Sequence, residues 1–450
     1  MLNIHFISIG GAAMHNLAIS LSKKGYKITG SDDEIYEPSR SNLEKNGLLP
    51  EKMGWNPGNI HQDLDMVILG MHAREDNPEL IRAKELGIRI ESYPSFVYEQ
   101  SKNKQRIVIA GSHGKTSITS MILHVLSYWN RKFDYLVGAK IEGFELMTSL
   151  TEDAPIIIIE GDEYLASPID PVSKFLKYHP HIVLISGIAW DHINVFPTFE
   201  SYTETFKKLI EGIDKSGSII YDQTDKVLSS IIPKNKEGLS IYPYKAHDSK
   251  IKKGITYLKD SGERIPLEIF GEHNLKNLSG AKIVCSKIGI SSEMFNEAIQ
   301  SFKGAAKRLE TIAENEECRI FKDFAHAPSK VAATVNAVKE QFPKRKLIAF
   351  LELHTYSSLN PKFLPEYKNT LKKADKVVIY LSEHAREIKR MDKIPTETIE
   401  KIFNHKSLTV LREKGEINDY LSSLSYKNEN ILMMSSGTFD GAIQEITLPS

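Results

Sequence analysis

Cysteine is nearly absent: the 450 residues hold only Cys285 and Cys318. The two stand in no CxxC spacing. Neither a disulfide framework nor a thiolate zinc site is expected, and a reducing compartment, the cytoplasm, is the reading. Long apolar runs are missing too, and none approaches the roughly 20 residues that cross a bilayer. The N-terminus, MLNIHFISIGG, has no basic n-region and no cleavage site, which argues against a signal peptide. Neither sign of charge is in excess, since 58 Lys and Arg balance 58 Asp and Glu. That balance argues against a protein that coats nucleic acid or anionic membrane, so neither is expected as a partner. There is no internal repeat and no low-complexity tract. What remains is an ordinary globular composition, 41% hydrophobic and 26% charged. At roughly 150 residues per domain the length predicts about three domains.

The pattern along the chain predicts α/β architecture throughout. An apolar run from Ile4 to Ile9 meets Gly10-Gly11-Ala12-Ala13, and Met14, Leu17, Ala18 and Leu21 then recur at helical spacing. Strand candidates follow at 26–30 and 66–69. The polar stretch 100–106 reads as a linker. A second segment opens with Ile107 to Ala110, runs into GSHGKT at 111–116 and a helix over 117–126, and continues with strands at 156–159 and 182–185. Residues 240–270 alternate like peripheral strands. A second boundary falls at 302–308, beyond which strands are expected at 319–321, 347–351, 377–381 and 431–434. Strands alternating with helices imply parallel sheets.

Gly111-Ser112-His113-Gly114-Lys115-Thr116 is the strongest local signal. Glycines between a strand end and a helix start let backbone N–H groups approach an anion, and the helix N-terminus adds its positive dipole end. Lys115 would reach terminal phosphates, and the Thr116 hydroxyl would bind Mg²⁺. The strict GxxxxGK[ST] pattern needs glycine where Ile109 stands, so the loop is a shortened variant. Glu160 ends a wholly apolar strand, and Asp191-His192 follows another; carboxyl ends of parallel strands are where ligands bind. Thr116, Glu160 and phosphate oxygens suit Mg²⁺. His192 reads equally as a ligand or as a hydrogen-bonding residue. The N-terminal turn breaks the dinucleotide pattern GxGxxG, with Ser8, Gly10 and Ala13 at the three positions. Asp32 stands near where a ribose-binding acid would sit. That turn fits nicotinamide, another nucleotide, or tight packing alone. Asn274 and Asn277 share one face of a helix start, to read a base edge or to cap the helix. Asp323 lies at a strand end of the third segment, as a ribose or amine contact or a solvated loop residue.

Taken in order, HFISIGGAAM, ITGSD, GSHGKTS, EGDEY, WDH, GEHNLKN, AAKRLE and KDFAHAP resemble the Mur ligase family over essentially the whole chain. The resemblance implies a Rossmann-like UDP-substrate domain (1–104), a central P-loop ATPase-like domain (105–306) and a Rossmann-like C-terminal ligase domain (307–450). It implies an ADP-forming amide ligase using ATP and Mg²⁺. By motif position Lys115, Glu160 and His192 would be catalytic. Gly111, Ser112, His113, Gly114, Lys115, Thr116, Ser117, Asn274, Arg308 and Asp323 would bind ATP. Thr116, Glu160 and His192 would hold metal, and Gly10, Gly11, Ser31 and Asp32 the uridine nucleotide. The histidine of GSHGKTS resembles two close branches alike, and the segments SDDEIYEPSRSNLEKNGL, EGDEYLASPIDPVSKFLKYHP and DFAHAP resemble the one that joins L-alanyl-γ-D-glutamyl-meso-diaminopimelate to UDP-N-acetylmuramate in peptidoglycan recycling. The alternative branch adds L-alanine in de novo synthesis. A monomer or weak homo-oligomer is expected, closing around ATP on hinges near residues 104 and 305.

Some positions depart from the family pattern. Gly187 stands where an Asn usually precedes DH, Ala12 and Ala13 replace a more open turn, and Ala327 replaces a histidine. Leu353-His354-Thr355-Tyr356 replaces an arginine-containing segment. Two readings outside the family are a nicotinamide dehydrogenase, which leaves the phosphate loop unexplained, and a non-catalytic nucleotide-binding regulator.

Overall fold

The structure is a computed structural model. It describes residues 2–450 except 72, 168, 191–194, 235, 236, 261, 307, 443–447, 449 and 450, and only the backbone of 384 and 385. The chain divides into two compact units. The first is Met1–Ile188 with Pro197–Tyr244 and Gly280–Ser291; the second is Ala189–Phe196 with Lys245–Ser279 and Ser292–Ser450.

The first unit opens with β1 (Asn3–Ile7), α1 (Ala12–Lys23), β2 (Lys27–Ser31), α2 (Ser39–Lys45), β3 (Met66–Leu69), α3 (Pro78–Glu85), β4 (Ile90–Ser92) and α4 (Tyr93–Ser101). The strands form a parallel sheet in the order β2-β1-β3-β4. The order reverses direction beside β1, so the loop after β1 lies at a switch point, where open α/β sheets bind ligands.

A larger sheet follows. Its elements are β5 (Gln105–Ala110), α5 (Lys115–Tyr128), β6 (Asp134–Leu136), β7 (Thr148–Ser149), β8 (Ile156–Glu160), the hairpin β9 (Leu165–Ser167) and β10 (Asp170–Ser173), β11 (Ile182–Ile185), α6 (Phe199–Glu211), β12 (Ser218–Asp222), α7 (Lys226–Ile231) and β13 (Ser240–Tyr244). The order is β13-β12-β11-β5-β8-β6-β7, and only β7 runs antiparallel to its neighbour. Ile107 pairs with both Ile158 and Ile182. Strands buried on both faces carry unbroken apolar runs rather than alternation, which is why these three were legible. β5 lies between β8 and β11, so GSHGKT also opens from a switch point. Helix α6 turns Tyr202, Phe206, Leu209 and Ile210 inward at i, i+4, i+7 and i+8, and the Thr198 side chain caps it by accepting from Ser201 N.

The second unit holds an antiparallel sheet of β14 (Ser249–Lys252), β15 (Ile255–Asp260) and β16 (Glu263–Leu267). Along the chain come α8 (Glu272–Lys287), of which the residues up to Ser279 belong to this unit, α9 (Ser292–Ile299), β17 (Glu310–Glu314), β18 (Cys318–Asp323), α10 (Pro328–Gln341), β19 (Lys346–Leu353), β20 (Lys376–Leu381), α11 (Glu383–Ile388), α12 (Thr396–Phe403), β21 (Leu408–Leu411), α13 (Lys414–Ser422) and β22 (Glu429–Met434). The sheet order is β17-β18-β22-β19-β20-β21, parallel except for β17. Alternate residues feed two cores. Ala349, Leu351, Val377 and Ile379 pack with Val331, Val335 and Val338 of α10. Ile348, Phe350, Val378 and Tyr380 pack with Ile417 and Leu421 of α13. Both cysteines are unpaired and buried. Among the described residues no helix is long and apolar enough to cross a membrane.

One expectation changes. Of the stretch read as a linker, Gln100 and Ser101 close α4 while Gln105 and Arg106 open β5. Its charged groups are also held in place. The buried Lys104 Nζ lies 2.5 Å from Asp134 Oδ2 and donates to Thr151 O at 2.6 Å, and the Arg106 guanidinium donates to the carbonyls of Ser101, Lys102 and Tyr178. Polar composition reads as a loop; here the polar groups are consumed in internal bonds. Removing one partner of such a pair strands a buried charge, so Asp134→Ala should cost about 3–5 kcal/mol of stability in urea unfolding. A loss under about 1 kcal/mol would mean that the pair behaves like an exposed one.

Candidate active site

Backbone geometry builds the phosphate loop. Gly111 has φ +123°, and a Cβ there would press on the Ser186 side chain and come within 2.8 Å of its backbone N, so only glycine fits between β5 and β11. Ser112 N donates to Gly187 O at 3.0 Å, and the Ser186 hydroxyl donates to His113 O. Gly187 thus fastens the loop with its carbonyl. Gly114, in the left-handed region at φ +71°, precedes the first residue of α5, Lys115. The helix starts two residues earlier than expected, which places Lys115 and Thr116 in its first turn, with the positive dipole end.

Three acidic side chains from the end of β8 and the turn after it surround that turn. Thr116 Oγ1 donates to Glu160 Oε1 at 2.8 Å, and Gly138 N donates to Glu160 Oε2 at 2.9 Å. Lys115 Nζ donates to Gly111 O at 2.7 Å and to Glu163 Oε2 at 2.8 Å. Asp162 is held by Lys174 at 2.9 Å. Burial alone would lower the Lys115 pKa, but the charges of Glu163, Asp162 and Glu160 outweigh it and hold it above its ordinary value. Lys115 is therefore a fixed cation at neutral pH. Tyr202 OH donates to Glu163 Oε1 at 3.1 Å and lies 2.8 Å from Ser112 Oγ. Sequence reasoning assigned Glu163 and Tyr202 no role. The signal for Glu163 was its place in the EGDE run; for Tyr202 there was none, because its helical spacing reads only as core.

The oxygens of Thr116 and Glu160 suit a hard divalent cation. Mg²⁺ takes few protein ligands and leaves other positions to phosphate oxygens and water. Among the described residues no group of three or more His, Cys, Asp or Glu is placed to hold a metal ion. His192 and Asp191 lie outside the described residues.

At the N-terminal switch point, Gly10 N donates to Asp32 Oδ2 at 2.7 Å. A Cβ at Gly10 would approach Ile35 Cγ1 to 2.8 Å. Ser8, at the first position of the broken glycine pattern, adopts the left-handed φ of +69°, and Gly11 precedes α1. The Ser31 hydroxyl is turned into the sheet, donating to the buried Glu79, which also accepts from Asn56 N and Asn59 Nδ2. Ser31 thus contributes backbone to the turn, through the amides of Ser8 and Ile9 on its carbonyl.

In the second unit, Asn274 Nδ2 donates to Phe270 O at 2.9 Å inside the first turn of α8. Asp323 is neither solvated nor free. Its carboxylate accepts from Leu309 N, Ala325 N and Thr334 Oγ1, and burial pushes its pKa up against those donors and the Arg308 charge. By holding Leu309 it braces the turn that carries Arg308, whose guanidinium sits 4.5 Å from the Phe324 ring centroid.

Comparison with known proteins decides the family. Family models match in chain order: the Mur ligase family catalytic domain at residues 3–105, the Mur ligase middle domain at 109–285 and the Mur ligase glutamate ligase domain at 307–437. A UDP-N-acetylmuramate–L-alanine ligase of Caldicellulosiruptor bescii is 31% identical over 397 residues, covering 85% of this chain and 84% of its own. The chain belongs to the Mur ligase family. Its members are ATP-dependent, ADP-forming amide ligases, which sets aside the dehydrogenase and regulator readings. A second relative of the same name, from Carboxydothermus hydrogenoformans, is 28% identical over 432 residues, 90% of each chain. The same fold occurs in the UDP-N-acetylmuramate–alanine ligase of Thermotoga maritima (TM-score 0.72, 19% identity, 99% and 98% of the two chains). It recurs in a murein peptide ligase of Psychrobacter arcticus (TM-score 0.65, 22% identity, 99% and 98%).

Asp32 gives this Mur ligase a pH signature. Burial, countered by the Gly10 amide and reinforced by Asp33, raises its pKa from 3.8 to about 6. Between those values the folded chain keeps a proton that the unfolded chain has lost. The Asp32 contribution to stability therefore falls as pH rises through that window and is constant above it. Asp32→Asn should flatten that part of a pH series of urea unfolding; an unchanged slope would contradict the assignment.

Proposed function

We propose that this Mur ligase joins the tripeptide L-alanyl-γ-D-glutamyl-meso-diaminopimelate to UDP-N-acetylmuramate, a cytoplasmic recycling reaction. The observation that carries the reading is the built segment after Glu160. The described residues of 164–178 are not a loose insertion: β9 and β10 pair, Lys174 N donates to Tyr164 O, and Lys177 holds Asp170 at 2.5 Å. That segment carries the residues resembling the tripeptide branch, and it springs from the turn that contacts Lys115. A second reading, ligation of L-alanine, is favoured by the names of the relatives from C. bescii and C. hydrogenoformans.

In either case the chemistry is acyl activation. The lactyl carboxylate of muramate attacks the γ-phosphate of ATP and displaces ADP, and the neutral amine of the acceptor then attacks the carbonyl carbon of the acyl phosphate and gives up a proton. The resulting tetrahedral intermediate collapses to amide and phosphate. Lys115 and the α5 N-terminus face the charge that spreads over the transferring phosphoryl oxygens. Thr116 and Glu160, with His192, would hold Mg²⁺, which when bound neutralises phosphate charge. Asn274, Arg308 and Asp323 serve the adenine nucleotide. Gly10, Gly11 and Asp32 serve the uridine nucleotide, with Ser31 acting through its backbone. We assign these roles to the divisions 1–104, 105–306 and 307–450.

The test is phosphate release from ATP with UDP-N-acetylmuramate, comparing tripeptide with L-alanine. Turnover with the tripeptide at least about tenfold above L-alanine is expected; the reverse preference would make this the L-alanine ligase. Lys115→Ala should lower that release by about a thousandfold while sparing UDP-sugar binding, and a variant that still turns over would remove the phosphate-loop assignment.

A further inference from the structure

We propose that Glu163 is a positioning residue for Lys115, and that Tyr202 extends its hold to Ser112 in the same loop. The proposal rests on Lys115 being the phosphate-binding lysine. A lysine ammonium is a point charge on a flexible four-carbon stem. To follow charge as it spreads over a transferring phosphoryl group it must be fixed in place. Here Glu163, with 1% of its side chain exposed, uses one oxygen on Lys115 and the other on Tyr202. The Tyr202 ring is locked in α6 against Phe206, with centroids 5.3 Å apart. Tyrosine has one hydroxyl proton, which goes to the carboxylate, so the Ser112 hydroxyl is the donor in its 2.8 Å contact with Tyr202. Bonds thus run from Ser112 through Tyr202 and Glu163 to Lys115, tying both ends of the loop to one rigid ring.

The other carboxylates around the ammonium do not share this role, since Asp162 is paired with Lys174 and Glu160 with Thr116 and Gly138. Placing a negative charge beside a polyphosphate site opposes nucleotide binding. It is compatible with catalysis when the fixed ammonium gains more in the transition state than binding loses in the ground state. A merely structural ion pair predicts no such opposition between binding and turnover.

The experiment measures Mg·ATP affinity by calorimetry without muramyl substrate, and kcat for phosphate release with UDP-N-acetylmuramate and whichever acceptor is active, on the full chain. Glu163→Gln keeps the shape and removes the charge. It should bind Mg·ATP about threefold tighter or more while kcat falls about tenfold or more. Glu163→Asp should return affinity to the wild-type value and recover part of kcat. Tyr202→Phe should lower kcat without changing affinity. The proposal is overturned if Glu163→Gln keeps kcat within about twofold of wild type, or if it loses affinity and kcat together. Should Glu163→Gln fail to fold, Glu163→Asp and Tyr202→Phe carry the test, and wild-type kcat in Tyr202→Phe overturns it. Lys115→Ala in the same assay separates the failures. If it turns over normally, the loop assignment falls. If it is inactive while Glu163→Gln is unaffected, only the positioning role falls.

Discussion

The contact between the Lys115 ammonium and the buried Glu163 carboxylate binds together the parts of this molecule that have to act as one. It joins the first turn of α5 to the turn after β8, across the switch point of the central sheet. Neither partner would be stable there alone, because a buried charge without a partner is costly. The surrounding features serve this constraint. Gly111 lets the loop pass beside Ser186, Gly187 offers a carbonyl to Ser112, and Thr116 and Gly138 satisfy Glu160. The result is a preorganised cradle with a cation, a helix N-terminus and an oxygen donor pair, all within reach of a strand edge. Such preorganisation lets a site stabilise developing charge without rearranging at the moment of reaction.

The same design recurs at the N-terminal sheet, where β1 ends in a tight turn and Asp32 receives the Gly10 amide. Asp32 and Asp323 are buried acids that accept backbone N–H groups from a neighbouring turn. Asp323 does so for Leu309 and Ala325. In both cases the carboxylate shapes a loop. An acid at the end of a parallel strand can thus be a loop brace.

Much of this was legible in the residues. Strands β5, β8 and β11 announced themselves as unbroken apolar runs because both faces are covered, and the glycines of the loop announced a backbone in close approach. What was not legible has physical reasons. Strands β6, β7, β9 and β21 have four residues or fewer, too short for a period to declare itself. Lys104 and Arg106 read as linker because composition does not reveal where a charge finds its partner. Tyr202 looked like core since its ring is core; only its hydroxyl belongs to the site. The Ser31 side chain, expected at the nucleotide, is drawn instead to Glu79, some 48 residues along the chain, a pairing that sequence spacing cannot anticipate.

If the loop after β5 and the acidic turn after β8 form one nucleotide cradle, a bound nucleotide acts on both at once. Amide hydrogen exchange across residues 110–117 and 160–164, with and without saturating Mg·ADP, tests this most directly. Both segments should slow together on binding. Saturable binding that leaves exchange in both segments unchanged, while slowing it elsewhere in the chain, would contradict it.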